Sequence, residues 1–114
     1  GLARSALHAN GNAPMYACRA WVNFNGIGAV SIRASGNVSS ITDNGVGDYT
    51  VNFLVNMDDV NYAVTASVGS ATESEADDNR NFSPYVFAVD SVRGTVSYTD
   101  TNMDSLYVSI AVFR

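Results

Sequence analysis

Eleven carboxylates, one histidine, one cysteine and no lysine set the chemistry open to this chain of 114 residues. Two of the carboxylates, Asp43 and Asp48, stand in the stretch SSITDNGVGDYTVNFLV (39–55) and raise the question of a bound cation. A calcium loop needs several more oxygen ligands in register and an acidic residue to close it, and neither follows here. Asn44-Gly45 between two alternating runs is instead a hairpin signal, because Asn-Gly readily takes the positive φ angles of a tight turn. Asp43 then caps the turn's own amides and Asp48 re-enters on the solvent face of the next strand. Asp58–Asp59 and Asp77–Asp78 are adjacent pairs in loops. A glycosidase needs two facing carboxylates, one with a raised pKa, and neighbouring loop residues are solvated instead.

The remaining groups exclude further reaction classes. His8 lies ahead of the patterned body, so a His-based metal cluster and a Ser-His-Asp site both lack their base inside the fold. Without lysine there is neither a Schiff base nor a phosphate-binding P-loop. The glycines of NGIGAV (25–30) do not open a helix and form no dinucleotide fingerprint. Cys18, the single cysteine, excludes an intramolecular disulfide, and its apolar strand pattern predicts a small buried thiol. The expectation is a protein that is not an enzyme and that uses no metal and no cofactor.

The formal net charge is −5 and all six basic residues are arginines scattered from Arg4 to Arg114. Phosphate backbones need clustered cations, so nucleic acid is a poor partner. No apolar run approaches the roughly 20 residues that span a bilayer, so no membrane insertion is expected. The chain begins at Gly1 rather than Met, which reads as a piece or mature part of a longer polypeptide. Hydrophobic residues make up 46%, enough for one core, and the length suits one domain.

The elements that would position any site show period two. Tyr16, Cys18, Ala20, Val22 and Phe24 share one face, with Arg19 and Asn23 opposite; Val30, Ile32 and Ala34 face away from Ser31 and Arg33. The alternation continues through Tyr49, Val51, Phe53 and Val55, then Tyr62, Val64, Ala66 and Val68, then Tyr85, Phe87 and Val89, then Val92, Val96 and Tyr98. It ends with Leu106, Val108, Ile110 and Val112. Turn signals at 24–28, 43–47, 56–59, 90–94 and 99–104 separate the runs. The prediction is an all-β, antiparallel, jelly-roll-like β-sandwich of about seven to eight strands over 15–114. Residues 1–14 form a short helical or extended linker, broken by Pro14.

Two features do not fit a bare sandwich. GSATESEADDNRNFSP (69–84) is a long acidic loop, and loops of this length are either mobile crossovers or functional. Trp21, Tyr107 and Phe113 stand opposite the apolar parity, where they could bury in the core, line a subunit interface or stack under a sugar ring. LYVSIAVF (106–113) is apolar on both faces, which favours cover by another chain.

The motifs CRAWVNFNG (18–26), ASGNVSSITDNG (34–45), GDYTVNF (47–53), NYAV (61–64) and the ending AVFR (111–114) resemble a widespread module of tailed-bacteriophage structural proteins, often found at the C-terminus of tail fibres. The likeness covers residues 6–69 and 105–114; it departs at Ile27, at Val46 and over 54–60, and 70–104 carries no matching motif. It implies a homotrimer at the tip of a fibre or other exposed, extracellular virion component, attached to the remainder of a virion protein. The expected function is attachment to a bacterial surface glycan or protein. The receptor contacts would be Thr72, Glu73, Glu75, Asp77, Asp78, Asn79, Arg80 and Phe82, with Asp100, Asn102 and Asp104 beside them, and Trp21, Tyr107 and Phe113 would form the oligomer interface. The alternative is a purely structural trimerisation, capping or decoration module with no receptor.

Overall fold

The alternating runs fold as strands in a computed structural model that describes residues 11–69 and 79–114. In chain order the strands are β1 (Cys18–Asn25), β2 (Ser31–Gly36), β3 (Val38–Gly45), β4 (Asp48–Phe53), β5 (Ala63–Val68), β6 (Asn81–Phe87), β7 (Ser91–Tyr98), β8 (Thr101–Asn102) and β9 (Val108–Phe113). They form two antiparallel sheets, one ordered β2-β1-β9-β5 and the other β3-β4-β7-β6, with β8 added beside β7. This is the all-β sandwich that the alternation predicts. The count exceeds eight because β8, two residues long, forms inside the predicted turn 99–104. The predicted leading helix falls outside the described residues. Among the described residues there is no helix, and so none long and apolar enough to cross a membrane.

The core lies between the central strands of the two sheets. β1 contributes Ala20, Val22 and Phe24, β9 contributes Val108, Ile110 and Val112, β4 contributes Tyr49, Val51 and Phe53, and β7 contributes Val92 and Val96. Full burial of a Val or Phe side chain stabilises by roughly 1.5–3 kcal/mol each, so these four strands dominate the hydrophobic term. Phe24 meets Tyr49 edge-on across the sheets, with ring centroids 5.2 Å apart. In β7 the place between Val92 and Val96 is Gly94, and the Phe82 ring of β6 fills the space that a side chain there would occupy.

The alternation misleads at the margins. Cys18 is exposed, not buried, where the register of β1 against β9 shifts between Cys18 and Ala20, and Tyr16, which precedes β1, is 71% exposed. β2 is an edge strand whose side chains stay exposed on both faces, including Ile32 and Ala34. In β6 a shift between Pro84 and Val86 leaves Tyr85 on the outer face, while Phe82 packs on the core and Phe87, opposite Val92, meets the Tyr62 ring at the sheet's end and stays 38% exposed. Val55 and Val89 lie past the strand ends and are exposed as well.

The hairpin question is also settled. Gly45 pairs with Asp48 across β3 and β4, so the connecting residues are Val46 and Gly47, and the positive φ angles belong to Gly45 and Gly47 rather than to Asn44. Asp43 Oδ1 accepts the Gly45 N–H at 3.1 Å, as the turn reading requires.

Gly47 is positioned where two constraints meet. Its φ is +63°, and a Cβ there would lie 2.6 Å from Met103 N and Val96 O. Gly28 has a similar φ of +66° in open space. We therefore expect Gly28→Ala to lose about 1–2 kcal/mol, the left-handed penalty alone, and Gly47→Ala to lose roughly 3 kcal/mol or more, because backbone must also move. Equilibrium urea denaturation checks this; equal losses at the two positions would contradict it.

Candidate functional site

Antiparallel pairing gives the sandwich two distinct ends. At the proximal end residues 11–17 lead into β1, and the strand termini Gly36, Val38, Phe53, Ala63, Phe87 and Phe113 lie nearby. At the distal end lie the 26–30 turn, the 46–47 turn, the start of β6 and the 99–107 segment.

The distal end is tied together through Asp104. Its Oδ1 accepts the Gly47 N–H at 2.9 Å and the Tyr49 hydroxyl at 2.6 Å. Tyr49 Oη also lies 2.9 Å from Gly26 O, but one proton serves one acceptor fully, and the shorter, charge-assisted contact is to the carboxylate. Burial, followed by the Asp104 hydrogen bond, raises the Tyr49 pKa well above that of an ordinary phenol. Gly26 N–H donates to Ser105 O at 2.9 Å, and Arg80 Nη1 donates to Asp104 O at 2.6 Å and to the buried Ser105 Oγ at 2.9 Å. Four segments far apart in the chain are thereby held in one cluster.

The predicted receptor contacts divide accordingly. Thr72, Glu73, Glu75, Asp77 and Asp78 lie outside the described residues. Asn79 is exposed ahead of β6, Arg80 and Asp104 hold the distal cluster from within, and Phe82 packs against the core. Asp100 and Asn102 are exposed on the β7–β8 hairpin, where Thr99 and Asp100 take positive φ angles of 49° and 64°. The two stretches do converge: Arg80 meets Asp104, and β7 pairs with both β6 and β8.

Core burial does not account for Trp21, Tyr107 and Phe113, which are 44%, 42% and 37% exposed on the outer side of the β2-β1-β9-β5 sheet. Their neighbourhoods differ. Phe113 lies beside Tyr16, Ala63 and Arg114 at the proximal end. Tyr107 carries the Arg33 guanidinium 4.3 Å above its ring. Trp21 lies over Gly36 of β2 and walls a shallow groove of about 380 Å³, floored by Asn23, Ser109, Ala111, Thr65 and Ser67. The sequence signal for this floor was present in the parity of each strand, but not the adjacency of β1, β9 and β5. β9 is a central strand, so its apolar outer positions are Ala111 and Phe113 rather than a continuous seam.

On the other sheet Asp48 does not stand free in solvent. Arg93 donates from Nε and Nη2 to its two oxygens, both at 2.9 Å, and the Tyr85 hydroxyl donates to Oδ2 at 3.1 Å. The Arg93 bonds hold the Asp48 carboxyl below its ordinary value of 3.8. Among the described residues no three His, Cys, Asp or Glu side chains gather closely enough to hold a metal ion.

Comparison with known protein families, curated proteins and solved structures finds no match.

The Asp48 pair has a signed consequence. A folded pKa below the unfolded one adds stability above about pH 4 that is lost as pH falls through the lowered value. Asp48→Asn is expected to lose about 1 kcal/mol at pH 7, discounted because Arg93 is partly exposed. Its denaturation midpoint should fall less steeply than that of the parent between pH 4 and pH 2. Parallel falls would assign the acid sensitivity elsewhere.

Proposed function

We propose that this chain is a non-catalytic attachment module of a tailed-phage fibre or comparable virion component, assembled as a homotrimer and directed at a bacterial surface glycan or protein. The observation that carries this reading is the unequal character of the two ends. Around the proximal end eight large apolar side chains stay exposed, Met15, Tyr16, Leu54, Val55, Val60, Phe87, Val89 and Phe113, among charged residues such as Asp58 and Arg114; the distal end exposes fewer, such as Ile27, Val46, Tyr98 and Tyr107. Exposed apolar surface gathered in one region marks an association surface. Sister copies joined there would have their distal ends turned outward, with Asn79, Asp100 and Asn102 at the surface. Three copies acting together give avidity against a repetitive surface. The family resemblance of 13–53 supports the same assignment.

A second reading, a purely structural cap, draws on the internal bonding of Arg80 and Asp104, since groups engaged within the fold are not presented to a receptor. Replacing 72–78 by a Gly-Ser linker separates the two, because it leaves Arg80 and its bonds in place. Unchanged circular dichroism with adsorption of the particle reduced at least tenfold is the expected result. Unchanged adsorption would favour the structural cap.

A further inference from the structure

We infer that the groove beside Trp21 is a lateral binding site for a neutral sugar chain, a second contact on the attachment module proposed above and separate from its distal loops. The groove is a grid built by register. Trp21 lies opposite Ala111, and Ala111 opposite Thr65; one step along, Asn23 lies opposite Ser109, and Ser109 opposite Ser67. Adjacent strands sit about 4.8 Å apart, so hydroxyl and amide groups are spaced across a firm floor while the indole forms one side.

The chemistry of this lining selects its ligand. None of the chain's eleven acidic residues falls in the lining, and neither does an arginine. The nearest cation, Arg33, is engaged by Asn23 Oδ1 at 3.1 Å, Leu106 O at 2.6 Å and the Tyr107 ring. Those partners are neutral and leave Arg33 its charge at the groove's edge, but its donors are engaged, so a charged ligand would find no ion-pair partner within the lining itself. A sister copy packed face to face would bury three hydroxyls and an amide against apolar surface, which costs free energy unless each finds a partner. A pyranose ring satisfies both halves: its hydroxyls pair with Ser67, Ser109, Thr65 and Asn23, and its C–H face lies against the electron-rich indole face. The Arg33 bond fixes the Asn23 amide through its oxygen and leaves its N–H groups as donors. Trp21 cannot settle lower, because it already lies over Gly36, where any Cβ would meet the ring. The volume of about 380 Å³ is at the small end of ligand sites, suited to one or two sugar residues.

Trp21 is the only tryptophan of the chain, so its fluorescence reports this groove alone. The full chain should be titrated with dextran, mannan and galactan fragments, with polygalacturonate as the anionic comparison, and binding measured in parallel by calorimetry. The expected result is a saturable emission change with at least one neutral glycan and a clearly weaker one with polygalacturonate. Calorimetric affinity should fall at least tenfold in Trp21→Ala and about threefold in Ser67→Ala, with circular dichroism unchanged; Trp21→Phe should keep part of the affinity. No response to any of the three neutral glycans, equal binding of polygalacturonate, or undiminished binding by folded Trp21→Ala would overturn the inference. Loss of adsorption on replacing 72–78, with Trp21 titration intact, would separate this site from the distal one.

Discussion

The sandwich has to be closed at both ends without a disulfide, and two polar side chains do it. At the proximal end Asn37 is the single residue between β2 and β3, with a φ of 54° that asparagine tolerates better than most residues. Its amide donates to Arg19 O and Val55 O at 3.0 and 3.1 Å and accepts the Val55 N–H at 2.7 Å. At the distal end Asp104 does the equivalent for Gly47 and Tyr49. Each staple joins segments that the core alone would leave as loose loops, and each satisfies backbone groups that strand pairing cannot reach.

These staples also explain why the two ends differ. Proximally, backbone groups are satisfied by Asn37 and by contacts such as Met57 N–H to Val89 O at 2.8 Å and Tyr62 Oη to Ser91 O at 2.9 Å. The side chains between them, Leu54, Val55, Val60 and Val89, are then left outward and apolar. The Asp59–Arg114 and Arg19–Asp58 pairs are exposed and add little to stability, but they rim the apolar group with charge. Distally the polar atoms are engaged by one another, which gives the hairpins a firm base from which Asp100 and Asn102 project.

Much of the core could be read in the sequence. Val22, Phe24, Tyr49, Val51, Phe53, Val92, Val96, Val108, Ile110 and Val112 alternate cleanly because β1, β4, β7 and β9 are central strands, buried on one face and paired on both sides. The rule weakened where those conditions fail. β2 is an edge strand that leaves Ile32 exposed, and in β6 the shifted register puts Tyr85 on the outer face while Phe87, opposite Val92, stays on the inner one, so the two no longer alternate together. The groove was beyond reach for another reason: Asn23, Ser109 and Ser67 are unremarkable singly and meet only through pairings of residues up to 86 positions apart, which no local period encodes. Asp104, expected as a receptor contact, instead holds Gly47 and Tyr49, a role no local pattern encodes, since nothing near it in sequence names Tyr49 as its partner.

In the proposed assembly, sister copies cover the apolar surface clustered where residues 11–17 lead into the fold. Light scattering of the isolated chain across a concentration series tests that directly. The expected mass is about three times the 12.1 kDa chain, falling to a single copy when Leu54 and Val55 are both replaced by Asp. A parent chain that stays at 12.1 kDa up to high concentration would contradict it.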